Sequence, residues 1–222
     1  MIAHSLKAIY VHITKTAGSS IEVALDAVEQ RNTGATDLAT GEHVNVVTGE
    51  EKHLTARQCR QWVGEDKWRE YFKFAVVRNP WDRFHSLWWN GRYVGKRHEL
   101  SLPEFADHYL HRNLSGRLQS LLQGRLRIHQ RFRPQVDWLR SANGEIEMDY
   151  ICRFETIAKD FAVVAERLGL PSAELPRVLV KNRSPLSRSF YADDFDDRTR
   201  ELISAYYAED IETFGYQFGE KR

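Results

Sequence analysis

Cysteine and net charge are both scarce in this chain of 222 residues. Its two cysteines, Cys59 and Cys152, lack the spacing of a metal site and are too few for a disulfide framework, so a reducing compartment, the cytoplasm, is expected. The 32 basic and 31 acidic residues leave a net charge of +1. This balance excludes a general electrostatic attraction to nucleic acid or to a membrane surface.

Long hydrophobic runs are missing as well. No apolar stretch is long enough to span a bilayer, and the chain reaches its first predicted strand without the charged and apolar regions of a secretory signal. No internal repeat or low-complexity tract is present, and 42% hydrophobic residues suffice for one sizeable core. We therefore expect a single cytoplasmic domain over residues 1–222, with no membrane span and no nucleic-acid partner.

Buried strands alternate with amphipathic helices along the chain, which predicts an α/β fold with a parallel sheet. Strands are predicted at 8–13, 72–77 and 150–154, with a further short one at 44–47. Helices are predicted at 21–28, 55–62, 80–90, 102–110, 117–123, 156–168 and 196–207. Thr55 with Gln58 predicts a capping box at the second helix, and Asn79 followed by Pro80 predicts the start of the third.

The segment from Tyr10 to Glu22 carries the strongest functional signal. A short apolar strand ends in a turn of small residues with one lysine, Lys15, and a helix follows. A strand, a small-residue loop and a helix in this order can surround a phosphate with backbone N–H groups at the positive end of the helix. Lys15 adds a mobile charge, and the hydroxyls of Ser19 and Ser20 add hydrogen-bond donors.

This loop differs from the phosphate loop of ATP- and GTP-binding proteins, in which the lysine follows the last glycine. Here Lys15 precedes Gly18, the one glycine of the loop. A P-loop kinase also needs a strand-end aspartate for magnesium, and the sequence shows none. The loop therefore predicts phosphate binding without ordinary ATP or GTP chemistry.

A second anion site is indicated at residues 78–86. Arg78 follows a predicted parallel strand, at the edge where open α/β sheets bind ligands, and Ser86 lies about two turns into the next helix. An arginine and a serine hydroxyl in this arrangement can hold a second anionic group. The alternative is an arginine in an ordinary ion pair and a serine that faces solvent.

Together, the two segments resemble those of the carbohydrate O-sulfotransferases, in particular the Golgi heparan-sulfate enzymes and their soluble bacterial relatives. Residues 12–20 resemble the family's loop for the 5′-phosphosulfate of 3′-phosphoadenosine 5′-phosphosulfate (PAPS), and residues 78–86 resemble its 3′-phosphate segment. Thr14 departs from the pattern, which has proline there. The likeness continues through Lys52–Ala56, Arg133–Gln135, Arg153–Glu155 and Asp210–Tyr216.

The resemblance implies a P-loop-like three-layer α/β fold with a central, mainly parallel sheet flanked by helices. It also implies in-line transfer of the sulfuryl group of PAPS to a hydroxyl of a carbohydrate or small-metabolite acceptor, without a metal. Lys15 would stabilise the leaving adenosine 3′,5′-bisphosphate. The cofactor-binding residues implied are Lys15, Thr16, Ala17, Gly18, Ser19, Ser20, Arg78 and Ser86, with Arg183 and Ser184 from a later loop. The alternatives are a nucleotide-binding module on the same fold that has lost transfer, and a P-loop kinase.

A hydroxyl acceptor must lose a proton, so the transfer needs a general base. His53 is the predicted base, because it precedes a helix between the two phosphate segments and, with Gln58, resembles the family's base-bearing pattern. His43 is the second candidate. We interpret His12 as a packed or supporting residue, and His85 could either reach the cofactor or pack within its helix.

The acceptor itself is not readable from the sequence. Residues 125–133 alternate basic and apolar side chains, and an extended conformation would place the charges on one face. Such a face suits an anionic acceptor, such as an acidic or sulfated saccharide. The alternative is a solubilising surface. Arg83 is interpreted as structural.

Overall fold

The computed structural model of the protein describes residues 1–33, 53–94, 99–111, 130–176 and 191–220. They form two compact units: a sheet unit of Met1–Val77 and Asp137–Val180, and a helical unit of Arg78–Val136 and Lys181–Arg222. The single domain over residues 1–222 stays a prediction. Predictions that lie outside the described residues are the strand at 44–47, the helix at 117–123, His43, Arg183 and Ser184.

Four strands form an open sheet in the order β1-β2-β3-β4. They are β1 Ile2–Ala3, β2 Ala8–Val11, β3 Phe72–Val77 and β4 Tyr150–Arg153. β1 is antiparallel to β2, whereas β2, β3 and β4 are mutually parallel. The α/β class and the mainly parallel sheet are thereby confirmed; β2 ends two residues before the predicted limit, and β1 was not predicted.

Nine α-helices accompany the sheet in the described part of the chain. In chain order they are α1 Gly18–Thr33, α2 Ala56–Val63, α3 Glu65–Glu70, α4 Pro80–Trp89, α5 Leu102–Ala106, α6 Val136–Leu139, α7 Ile157–Leu168, α8 Asp197–Tyr206 and α9 Ala208–Phe214. The predicted caps are confirmed: Thr55 and Gln58 form a capping box, and the Asn79 side chain accepts the N–H of Trp81. The helix predicted at 102–110 is α5 followed by a π-helical turn, Asp107–His111.

The core of the sheet unit lies between the sheet and two of its helices. Alternate strand residues form one buried cluster with side chains of α1 and α7; its members include Tyr10, Phe74, Val76, Cys152, Ile21, Leu25, Phe161 and Val164. The intervening strand residues Ile9, Val11, Ala75 and Val77 are also buried. Parallel strands are normally covered on both faces, and ligands then bind at their carboxyl ends.

In the helical unit, Arg83 fastens α4 to the residues that precede α6. Its guanidinium donates to the carbonyl oxygens of Arg131, at 3.0 Å, and Arg133, at 3.2 Å, and its side chain is buried. The structural interpretation of Arg83 is therefore confirmed. The charged face considered for residues 125–133 required an extended conformation, and Gln130–Phe132 instead forms a 3₁₀ turn that buries Phe132.

Asp210 of α9 forms a second set of buried hydrogen bonds in the helical unit. Its buried carboxylate accepts the backbone N–H groups of Gln135, at 2.7 Å, and Val136, at 2.9 Å. Burial raises the pKa of Asp210 from 3.8 to about 6, although the two N–H groups and the charge of Arg83 act in the opposite direction.

We predict that Asp210 makes the protein less stable as pH rises from 3.8 to about 6. In this window the unfolded chain releases the Asp210 proton while the folded chain keeps it, so the folded state is favoured at the acid end. The free energy of unfolding of the wild type, relative to Asp210→Asn, should fall by up to about 3 kcal/mol across the window. Urea denaturation of both proteins at several pH values measures it, and a difference that does not change with pH would contradict the prediction.

Candidate active site

The loop between β2 and α1 has an unusual backbone. Lys15 and Ala17 both have φ of 68°, in the left-handed region, although neither is glycine, and each such residue costs about 1–2 kcal/mol. The Thr16 hydroxyl donates to Ile13 O at 2.8 Å, and the Ser20 N–H donates to Ala17 O at 3.0 Å. Alternation of left- and right-handed residues turns successive N–H groups toward one side, which is a geometry that binds anions.

Gly18 begins α1 and lies against the imidazole of His12. A Cβ atom at position 18 would meet three atoms of this ring within 2.5 Å, closer than real side chains approach. The φ of Gly18 is not positive, so glycine is needed here for space and not for its backbone freedom. The close contact sets the distance between the end of β2 and the start of α1.

His12 is held firmly in this position. Its side chain is 5% exposed, and Nδ1 lies 2.7 Å from Oε1 of Glu22 on α1. The ring also stacks on Tyr10, with 5.5 Å between ring centroids. The interpretation of His12 as a packed residue is confirmed, but sequence reasoning missed Glu22 as its partner.

His53, the predicted base, lies next to His12 in the sheet unit. The two rings have centroids 4.5 Å apart, and His53 Nδ1 lies 3.2 Å from the carbonyl oxygen of His12. Because a carbonyl oxygen only accepts hydrogen bonds, Nδ1 carries the proton, and the lone pair of a neutral ring is on Nε2. Trp138 packs edge-on against the ring at 6.2 Å. A general base requires an imidazole oriented in this way.

Arg78 lies in the helical unit, directly after β3 in the chain. Its Nε and Nη2 atoms donate to the two oxygens of Asp82, each at 2.9 Å, and both side chains are buried. Arg78 is therefore part of an ion pair in the structure, as the alternative interpretation of this residue expected. Sequence reasoning missed Asp82, whose i+4 spacing from Arg78 was the available signal.

Ser86 is half-buried on α4, in the same unit as Arg78. The neighbouring His85 packs between aromatic rings, with Trp88, Trp89 and Phe195 at centroid distances of 5.3, 6.3 and 6.3 Å. Its Nε2 lies 2.7 Å from Asp194, and burial lowers the pKa of His85 despite this carboxylate. His85 therefore has a packing role.

The predicted site residues thus fall into two sets. In the sheet unit, His12 contacts both the loop Lys15–Ser20, at Gly18, and the ring of His53. The helical unit contains Arg78 and Ser86. Among the described residues, no three His, Cys, Asp or Glu side chains are grouped so that they could hold a metal ion. No helix in the described ranges is long and apolar enough to cross a membrane.

We predict that Gly18→Ala destabilises the protein by about 1–3 kcal/mol, because the added methyl group displaces the buried His12 ring. In a His12→Ala background the same substitution should cost much less, since the space is then vacant. Urea denaturation of the four proteins of this double-mutant cycle gives the coupling energy. Equal costs in the two backgrounds would show that the contact does not constrain the loop.

In a comparison with protein-family models, residues 1–217 match a model described as the sulfotransferase family. Searches of curated proteins and of solved structures returned no match. The matched region includes the loop between β2 and α1, His53, Arg78 and Ser86. The chain therefore belongs to the sulfotransferase family, and its activity class is the transfer of a sulfuryl group.

Proposed function

We propose that the protein is a PAPS-dependent sulfotransferase that transfers the sulfuryl group to a hydroxyl of a carbohydrate or small-metabolite acceptor by in-line displacement. The observation that carries this proposal is the position of His53 beside the loop between β2 and α1, with His12 in contact with both. A base and an anion-binding loop in one unit are the two elements that such a transfer requires.

The donors of the loop suit a phosphosulfate. Gly18 and Ser19 are the first residues of α1, where helix N–H groups lack partners within the helix and the helix dipole is positive. Lys15 adds a full charge, and two left-handed residues separated by one other, as at 15 and 17, are typical of loops whose backbone N–H groups bind an anion. We propose that Lys15, Thr16, Ala17, Gly18, Ser19 and Ser20 bind the 5′-phosphosulfate, and that Arg78 and Ser86 bind the 3′-phosphate.

The chemistry then follows from the charges. PAPS, when bound, supplies an activated sulfuryl group. His53 Nε2 accepts the proton of the acceptor hydroxyl, and its Nδ1–H remains bonded to the carbonyl oxygen of His12, which stabilises the ring orientation. Lys15 and the loop amides stabilise the negative charge that develops on the bridging oxygen of the leaving phosphate. None of these roles needs a metal ion.

The roles of Arg183 and Ser184 remain part of the proposal, as does the cytoplasmic location. Cys59 and Cys152 are free and buried, as expected for a protein of a reducing compartment. The described part of the basic segment 125–133 contains a 3₁₀ turn, so the choice between a neutral and an anionic acceptor does not follow from an extended charged face. A screen of neutral and acidic saccharides with labelled PAPS tests whether the acceptor is neutral or anionic.

We predict that His53→Ala lowers transfer from PAPS by at least about a hundredfold, because general-base catalysis typically contributes that much or more. Binding of adenosine 3′,5′-bisphosphate should be nearly unchanged, because His53 is proposed to contact the acceptor hydroxyl and not the nucleotide. His4→Ala is a matched control, because His4 is an exposed histidine of the same unit whose ring contacts Tyr71. Transfer by His53→Ala at the rate of the control would exclude His53 as the base.

We also predict that the wild type binds adenosine 3′,5′-bisphosphate more tightly than ATP, because Arg78 and Ser86 recognise a 3′-phosphate that ATP lacks. Isothermal titration calorimetry with each nucleotide, with and without magnesium, measures the difference. Equal or tighter binding of ATP would contradict the PAPS proposal and favour a kinase.

A further inference from the structure

The backbone of Arg78 is held by a side chain from a distant part of the sequence. Gln135 Oε1 accepts the N–H of Arg78 at 2.9 Å, and Gln135 Nε2 donates to the carbonyl oxygen of Arg78 at 2.8 Å. Gln135 is fully buried, so water does not compete for these two hydrogen bonds. One amide thus satisfies both polar groups of the Arg78 backbone.

Gln135 is itself held in place. Its own N–H donates to the buried Asp210 carboxylate of α9 at 2.7 Å, and the next N–H, of Val136, does so at 2.9 Å. The Arg78 guanidinium is held separately by Asp82. Position 78 is therefore fixed at its backbone through Gln135 and at its side chain through Asp82.

These contacts involve two segments of the chain to which the proposed function assigns no ligand-binding residue. Gln135 belongs to Arg133–Gln135, and Asp210 begins Asp210–Tyr216; both segments resemble the sulfotransferases, and neither carries a proposed ligand-binding residue. The structure connects both to Arg78 within the helical unit. Their common effect is to fix the backbone at position 78 within the helical unit.

We propose that Gln135 is a positioning residue that makes Arg78 selective for a ribose 3′-phosphate; this inference rests on the proposed function. A guanidinium has five N–H donors in one plane, and Asp82 uses two of them at Nε and Nη2. The plane is thereby set, and its orientation relative to a nucleotide depends on the backbone that Gln135 holds. An arginine oriented before binding loses less freedom when it takes up a phosphate, so affinity and selectivity both increase.

The test compares two nucleotides that differ only in the 3′-phosphate. Calorimetry gives the Kd of adenosine 5′-monophosphate divided by the Kd of adenosine 3′,5′-bisphosphate, a ratio that reports the contribution of the 3′-phosphate alone. In Gln135→Met, which keeps the length of the side chain but forms neither hydrogen bond, the ratio should fall by about tenfold, as for the loss of one well-formed bond to a charged group.

Tyr207→Phe is the matched control. The buried Tyr207 hydroxyl donates to Phe132 O at 3.0 Å, so this variant also removes a buried bond to the segment that precedes α6 but leaves Arg78 untouched. A general loss of structure lowers the affinity for both nucleotides alike, and the ratio then stays constant. We expect the wild-type ratio in Tyr207→Phe.

A wild-type ratio in folded Gln135→Met would overturn the inference. If that variant does not fold, the isosteric Gln135→Glu decides the question by the same ratio, measured at alkaline pH, where its ionised carboxylate has no donor for Arg78 O. A wild type that does not prefer the bisphosphate contradicts the proposed function itself. A wild-type preference that the Gln135 variants retain contradicts only the role of Gln135.

Discussion

Contact between the His12 ring and the backbone at Gly18 is the constraint on which the candidate site of the sheet unit depends. The ring occupies the space that any larger side chain at position 18 needs, and Glu22 of α1 holds the ring in place. The end of β2 and the start of α1 are therefore coupled through one buried side chain. The two left-handed residues between them persist because both ends of the loop are held, which is how backbone strain is retained at functional sites.

Buried polar groups organise the helical unit in a comparable way. Arg78 is paired with Asp82, Arg83 with two carbonyl oxygens, and Asp210 with two backbone N–H groups. Burying a charge is unfavourable unless it is paired or hydrogen-bonded, so each pairing restricts the arrangements that the chain can adopt. The unit thus gains specificity from these contacts, even where a net gain in stability is small.

Sequence reasoning succeeded where the signal is local. The strand Phe72–Val77, the capping box at Thr55 and the Asn79 cap depend on neighbouring residues and were predicted. The partners of buried charges depend on tertiary structure: Gln135 meets Arg78 only after folding, and α9, which carries Asp210, was not predicted as a helix. The place of His53 before a helix was predictable, but its bond to the backbone of residue 12 was not.

That bond has an evolutionary consequence. In many hydrolytic enzymes the base histidine is oriented by a carboxylate side chain, which a single codon change can remove. Here the orienting acceptor is a main-chain carbonyl, which every amino acid at position 12 supplies. A substitution at position 12 therefore keeps the acceptor that sets the tautomer of His53, but it removes the imidazole ring of His12. Substitutions at position 12 would therefore act on the loop first and leave the tautomer of His53 unchanged, so the two halves of the candidate site can diverge at different rates.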